Sequence, residues 1–489
     1  MTQPSVTINE LDGALGVLPA GAKYPAFVGV SSAGTVDTPA GYGSTRTAQT
    51  ALGVGPLPEL LARYIATEGK PAVAVRTGNT TVSTVDGLVQ TGVTGLTEIS
   101  IHTGATSYDD YEVYVICTKG GTVGVAGIEL QYSTDGGRNL SAATALGTAT
   151  TFTLPGSGGV QFDLTAATIV AGDYWTARAH APQFSDVELT SAIASLGRTT
   201  LPIDQIVVVG DLDAAAFDAI ETAVAALVAA GMPVTWIGST RIPDPSETEA
   251  AYKTALDAIF AAKATTHGAI GSGAAEVTSS IDGKKYLRPA MWAWAPRALS
   301  CSEEIDIADV DLGALVGVSI TDSLGNPKHH NESLDPGLDD SRFVTLRTWR
   351  DYAGVYCNRP RLFSAAGSDF QLIPHRRVMN LARAALRAYF GRRTSKPIRV
   401  NATTGYILEA DAVEIEAGAH AALKSVLLAK PKASGGGFAR GKFVQLSRTD
   451  NLLSTKTLNA QARIIPLAYP EFVVIDLGFY NPALSLVTV

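Results

Sequence analysis

Two hydrophobic rhythms alternate along this chain. From residue 23 to 91 buried runs flank a helical stripe. Ala26–Val30 reads as a buried strand. Leu57, Leu60, Leu61, Tyr64 and Ile65 repeat at helical spacing with Gly69 as the stop, and Ala72–Arg76 (AVAVR) is a second strand. Between 92 and 182 the helical spacing disappears. Short alternating runs (Glu112–Thr118, Ile128–Ser133, Thr151–Leu154, Val160–Leu164, Tyr174–Ala179) are divided by turn clusters such as Thr134–Gly137 and Pro155–Gly159, the pattern of a small antiparallel β-sandwich. From Leu189 the first rhythm returns. Ile206–Gly210 is a buried strand, Asp213 caps a helix carrying Phe217, Ile220, Val224 and Leu227 on one face, and Val234–Ile237 follows as a strand. Ser246 and Glu249 are spaced as a capping box before Tyr252 and Leu256. Strand-like runs continue at His267–Ile270, Ala290–Ala295 and Leu315–Thr321.

The last third mixes both rhythms. Residues 375–393 predict a helix with Val378, Ala382, Ala385 and Tyr389 on one side. Arg376, Arg383 and Arg387 fall within about 40° of one another on nearly the opposite side. Strands are expected near Arg399–Val400, Tyr406–Glu409, Phe443–Ser447 and Gln461–Ala468, with a helix over Glu416–Leu428. The expected fold class is α/β and α+β multidomain: an α/β core domain (23–91 and 183–341) with an inserted antiparallel β-sandwich (92–182), an α+β C-terminal domain (342–470), and terminal arms at 1–22 and 471–489.

Charge changes this picture most. Residues 342–399 carry thirteen Arg/Lys against Asp351 and Asp369, a net +11 inside a chain of net −8. Segregation of this kind marks a surface that meets something negative. A solvated face needs no partner, but the charge persists through the flanking loops. A nucleic-acid site would interleave exposed aromatics, and Tyr389 and Phe390 lie on or beside the packing side. An acidic protein needs only complementary charge. A second group, Lys430, Lys432, Arg440 and Lys442, extends the basic surface.

Catalytic chemistry finds little footing. The three cysteines (Cys117, Cys301, Cys357) form neither a disulfide framework nor a CxxC site and read as small buried or half-buried residues. Gly436–Lys442 spells GxxxxGK, but Phe443 stands where a phosphate loop needs Ser or Thr. Gly268, Gly271 and Gly273 run GxxGxG, not the dinucleotide order. His329, His330, Glu332, Asp335, Asp339 and Asp340 sit in a turn-rich stretch that reads as a solvated loop. No HExxH, spaced His triad or GxSxG elbow occurs. The start, MTQPSVTINE, has no apolar signal region, and the nearest thing to a membrane span, Ala214–Gly231, contains Asp218 and Glu221. A soluble protein made in a cytoplasm, with no catalytic, cofactor or metal residues, is expected.

Three stretches resemble one known family. Tyr24–Gly78 (YPAFVGVSSAGTVDTP…GKPAVAVRTG) is similar to the opening of contractile phage tail sheath proteins. Phe343–Asn401, with Arg347-Thr348, Arg376-Arg377 and Asn401, resembles the start of the sheath C-terminal domain, and Gln461–Leu477 resembles the closing Pro-centred strands. The resemblance implies a structural protein, not an enzyme, that polymerises as stacked hexameric rings around an acidic tail tube and contracts to drive that tube through a cell envelope. It implies a tube-facing interface at Arg376, Arg377, Arg383, Arg387, Arg392 and Arg393 and an outward-facing insertion. It also implies an inter-subunit strand arm at Phe472, Val474, Asp476, Phe479 and Tyr480. Expected partners are further copies of the chain, the tube, and baseplate and tail terminator proteins, with no direct nucleic-acid contact or membrane insertion. The expected location is a virion tail assembled in a host bacterial cytoplasm. An α/β enzyme with an accessory sandwich, or a non-contractile lattice protein, remains the alternative.

Overall fold

The computed structural model describes residues 23–92, 98–165, 167–322, 324–427 and 439–471, with 439–443 described as backbone alone. In chain order the described elements begin with β1 (Tyr24–Gly29), β2 (Ala40–Tyr42), α1 (Thr45–Leu52), α2 (Pro56–Glu68) and β3 (Ala72–Arg76). An antiparallel stretch follows: β4 (Thr84–Thr91), β5 (Ile99–Ile101), β6 (Tyr111–Lys119), β7 (Glu129–Ser133), β8 (Thr151–Thr153), β9 (Gln161–Leu164) and β10 (Tyr174–His180). Then come α3 (Asp186–Leu196), β11 (Ile203–Asp211), α4 (Ala214–Ala229), β12 (Thr235–Ser239), α5 (Glu249–Phe260), β13 (Gly268–Gly271), β14 (Ala274–Thr278), β15 (Lys285–Pro289) and α6 (Met291–Ser300). The chain continues with β16 (Leu346–Thr348), β17 (Val355–Cys357), α7 (Ile373–Gly391), α8 (Glu409–Leu427), β18 (Ala439–Leu446), α9 (Leu452–Thr455) and β19 (Ala460–Pro466).

The central sheet runs β13-β12-β11-β1-β3-β2, parallel except for its antiparallel edge strand β2. Successive side chains of a strand point to opposite faces, so the apolar run of β1 feeds two cores. Phe27 joins Val207, Val209 and the buried residues of α2 and α6. Ala26 and Val28 join Val73, Val75, Ile206, Val208 and the apolar faces of α3, α4 and α5. A sheet covered on both faces explains why these strands read as continuous hydrophobic runs. Local signals hold here: Gly69 takes the left-handed φ of 63° that ends α2, and Asp213 accepts from the Ala215 and Ala216 amides at 3.0 and 2.8 Å.

Other elements depart from expectation. Ala290–Ala295, strand-like by its sequence, lies almost wholly in helix α6, Met291–Ser300. Its residues Met291–Pro296 are buried, so the run has no polar face from which a period could be read. Leu315–Thr321 contributes only Val318–Ser319, paired to β14. Ser246 is not the cap of α5: Thr248 is, accepting from Ala251 at 3.3 Å, and Glu249 is the first helical residue. The reciprocal capping box belongs to Ser185 and Glu188, ahead of α3. Arg399–Val400 and Tyr406–Glu409 make only the bridge Val400–Ile407, and Glu409 opens α8.

The antiparallel stretch forms a five-stranded sheet, β4-β10-β6-β7 with Thr144–Ala145, and a three-stranded sheet, β8-β9-β5. They share one core, in which Phe162 meets Trp175 edge-on at 5.9 Å. The stretch starts earlier than residue 92, because Thr84–Thr91 pairs along β10. It is fastened to the central layer by Arg288 on β15. The Arg288 guanidinium, 1% exposed, donates to Glu59 of α2, to Asp109 at 3.1 Å and to the Asp110 carbonyl at 2.7 Å. Burial pushes the Asp109 carboxyl well above the usual range, against the pull of Arg288.

The chain divides into two compact units, 1–384 and 385–489, and the division falls within α7. The C-terminal domain was expected to begin at 342. Instead, residues 342–363 extend the central layer: the Val344 amide donates to Ile270 O at 2.8 Å, the Phe363 amide donates to Gly268 O at 2.8 Å, and both side chains are buried in the two main cores. In the second unit α8 buries Ala412, Ile415, Ala419, Leu423 and Leu427, one stripe at helical spacing, and β18 pairs with β19 in a hairpin.

Candidate interaction surface

Segment 342–399 is the strongest functional signal in the sequence, and the structure divides its arginines by what they touch. Arg342 donates to Lys263 O at 2.9 Å and to Ala261 O at 3.1 Å, beyond the end of α5, and its guanidinium lies 4.3 Å from the Phe363 ring centre. Arg377 is buried and donates to Ala298 O at 3.0 Å and Cys301 O at 2.8 Å, closing the end of α6. Arg383 is exposed and donates to Val228 O at 3.2 Å, in the last turn of α4. Each guanidinium sits at the C-terminal end of a helix, where the last carbonyls and the negative end of the dipole lie; Val228 O also accepts from the Gly231 amide at 3.0 Å. Neither α4 nor α5 has a basic residue in its own last turn.

Arg376 is buried as well. It donates to the Nε2 atom of His267 at 2.6 Å and lies 5.1 Å from the Phe370 ring centre. Burial, then Arg376 and Arg383, holds His267 down to about 4, so its ring is neutral near pH 7 and able to accept that hydrogen bond. Arg359 and Arg361 reach Asp339 at 3.2 and 3.5 Å. The expected tube-facing set is therefore corrected at two positions. Arg376 and Arg377 are enclosed because the first half of α7, Ile373 to Ala382, is buried nearly all round.

The second half of α7 is different. Arg387 and Arg392 are exposed, and half-buried Arg393 stacks 5.1 Å from the Tyr389 ring centre and pairs with Glu414 at 3.2 Å. Lys430 and Lys432 lie outside the described residues. Arg440 and Lys442 are described as backbone, in register with Ile465 and Ile464 in the β18–β19 hairpin. That hairpin is a sheet of two strands, and β19 is exposed along nearly its whole length, with Ile465 at 63%. The arm residues Phe472, Val474, Asp476, Phe479 and Tyr480 lie outside the described residues.

The histidine loop is not the solvated segment its composition suggests. His330, Asn331 and Glu332 are buried. His330 Nδ1 lies 2.9 Å from Glu249 and Nε2 lies 2.8 Å from Glu332. The two carboxylates outweigh the cost of burial and raise His330 to about 9. This is a charged structural pin, and among the described residues no group of three His, Cys, Asp or Glu could hold a metal ion. The GxxGxG glycines serve packing: a Cβ at Gly268 would stand 2.1 Å from the Trp236 ring, and one at Gly271 would stand 2.8 Å from Met291 Cβ. The GxxxxGK stretch runs from residues outside the described set into strand β18, where a phosphate loop would open a helix. Among the described residues no helix is long and apolar enough to cross a membrane.

The family profile described as "DUF2586, N-terminal domain" matches residues 3–361. The chain belongs to the DUF2586 family. No curated protein matches it. Among solved structures, this DUF2586 chain is similar to the sheath of an extracellular contractile injection system, the PVC sheath complex in its contracted state, at 11% identity and a TM-score of 0.51, covering 98% of each chain. It is also similar to the sheath tail protein of Listeria innocua (12% identity, TM-score 0.45, 93% of this chain and 94% of that one). A third match is a chain of the anti-feeding prophage baseplate in its contracted state (13%, 0.49, 98% of each). The DUF2586 chain thus has the mixed α/β, multi-sheet fold of a contractile-system sheath protein. The family match ends at Arg361, before α7, so the exposed arginines of this DUF2586 member lie beyond the matched region.

Proposed function

We propose that the chain is the sheath subunit of a contractile tail or tail-like injection device: a structural protein, not an enzyme, that polymerises around an inner tube. The observation that carries this reading is the fold shared with a contractile-injection sheath over 98% of both chains. In this reading hexameric rings stack along an acidic tube. Arg383, Arg387, Arg392 and Arg393 face that tube, while Arg376 and Arg377 hold the scaffold that presents them. Charge docking suits a sheath because it is screened by salt and releases without unpacking an apolar core. Strand arms from neighbouring copies, carrying Phe472, Val474, Asp476, Phe479 and Tyr480, pair with the two-stranded β18–β19 sheet, whose exposed strand supports that role. Contraction is then a movement of rigid subunits between two packings, drawing on a metastable lattice with no nucleotide or cofactor. Baseplate and terminator proteins bound the polymer, the inserted sheets face outward, and the assembled particle is a virion tail or its relative, put together in a bacterial cytoplasm.

Negative-stain electron microscopy of the purified chain, alone and with its tube protein, tests the reading. Long helical tubes are expected. A chain that stays monomeric under all assembly conditions, and is unaffected by deletion of 472–489, would overturn it. Arg387→Glu with Arg392→Glu should reduce assembly on the tube at least tenfold while leaving the unfolding midpoint unchanged.

A further inference from the structure

The β16–β17 hairpin carries a second surface. Its connecting loop, Trp349 to Gly354, is exposed throughout and presents Trp349, Arg350, Asp351 and Tyr352, with Trp349 at 39% and Tyr352 at 53%; half-buried Arg347 beside the indole leaves the tip net positive despite Asp351. The loop is held firmly from below. Buried Asn331 donates to Thr348 Oγ1 at 2.7 Å and accepts from the Thr348 amide at 3.1 Å. Ser333 Oγ donates to Thr348 O at 2.7 Å, and the Tyr356 hydroxyl donates to Ala353 O at 3.1 Å. Arg347 lies 3.8 Å from the Trp349 ring centre, which orients the indole before anything binds. Leu334, 55% exposed, follows the Ser333 anchor. Tryptophan, tyrosine and arginine on a preformed support are the residues that anchor protein interfaces, because little ordering entropy is lost on docking.

The same chain carries a matching partner. From Ser300 to Pro327 there are six acidic residues and no lysine or arginine. Asp309 and Asp311 are exposed, and Asp309 Oδ1 fixes their turn by accepting from the Asp311 amide at 3.0 Å. We infer that the Trp349–Arg350–Tyr352 tip of one copy docks on the acidic ribbon, residues 303–311, of a second copy of this chain. Arg350 pairs with the Asp309 and Asp311 carboxylates, and the two aromatic rings cover the neighbouring apolar atoms. The contact is heterologous, so repetition closes into a ring or runs on as a helical polymer according to the rotation between copies. It is also small. Two aromatic side chains bury a few hundred Å² at most, well below the roughly 1,200 Å² of a stable pairwise interface, so it operates inside a lattice where other links raise the local concentration. The inference rests on the sheath reading and adds a lateral contact to it.

The test uses the full chain assembled without tube protein. Trp349→Ala with Tyr352→Ala should lower the assembled fraction at least tenfold with an unchanged unfolding midpoint. Arg350→Glu should do the same, and adding Asp311→Arg should restore assembly. A photo-crosslinking phenylalanine analogue at position 349 should join to the peptide containing residues 303–311 of another copy. If the wild type assembles and these variants assemble equally well, the docking inference falls and the sheath reading stands. Crosslinking elsewhere on the copy, or to tube protein alone when it is added, also overturns the docking inference. A wild type that never assembles removes the sheath reading, and this contact with it.

Discussion

Residues 342–384 and 385–399 look like one basic segment in the sequence, yet they use their charge in opposite ways. In the first stretch most guanidiniums are taken up by partners within the fold, with exposed Arg350 on the β16–β17 loop the exception. Arg342, Arg377 and Arg383 reach the carbonyls at the ends of α5, α6 and α4, and Arg359 and Arg361 hold Asp339. In the second stretch Arg387, Arg392 and Lys396 are exposed, Arg393 pairs with a largely exposed Glu414, and Arg399 pairs with Asp411. A run of positive charge can therefore be mostly internal scaffolding, with its tail and one loop arginine left for a partner. Net charge counts residues, whereas function depends on which of them still face water.

The largest expected effect comes from the inward group. Arg377→Ala removes a buried guanidinium and strands the carbonyls of Ala298 and Cys301, which should cost about 2–3 kcal/mol in denaturant unfolding followed by tryptophan fluorescence. All five tryptophans precede residue 385, so this signal reads the first unit. A loss below about 0.5 kcal/mol would break the contrast between the two stretches.

The His330 pin sharpens the same point with a pH dependence. Its folded value is raised to about 9, so the native state holds a proton that the unfolded chain releases above about 6.5. This contribution is complete below about pH 6.5 and is lost as pH rises through about 9. Wild-type stability should fall by about 1.4 kcal/mol per pH unit across that window. His330→Gln should flatten this slope while lowering stability at pH 6. An unchanged slope would show that His330 does not carry the charge.

Smaller effects follow. Ser185→Ala breaks the capping box of α3 and should cost about 1 kcal/mol by the same measurement. Arg393→Ala removes a surface pair and should change stability by under about 1 kcal/mol, less still at high salt. Because its neighbours Arg387 and Arg392 are exposed, charge reversal there should be felt in assembly and not in folding. A stability loss from Arg393→Ala as large as that from Arg377→Ala would erase the distinction.

Much of the fold was legible because it is local. The strand–helix–strand opening, the Gly69 stop, the Asp213 cap and helix α7 each depend on residues within a few positions of one another. The residues that organise the interior were not legible. Arg288 meets Glu59 and Asp109 across 229 and 179 positions, and nothing near any of the three marks it as a partner. Arg383 and Arg342 left a faint signal: α4 and α5 end without a basic residue of their own, which leaves carbonyls for a distant arginine to claim. Arg377 left none, because α6 already carries Arg297 in its last turn. Helix α6 and the burial of His330 gave none.

By itself the sequence determined the alternation of strands and helices, the interruption by short antiparallel strands, and the charge imbalance toward the C-terminal end, because periodicity, capping and composition act over short distances. Only the tertiary structure decided which arginines remained outside. Whether a cation faces water depends on which helix ends and carboxylates the fold brings beside it, and those partners lie tens to hundreds of residues away.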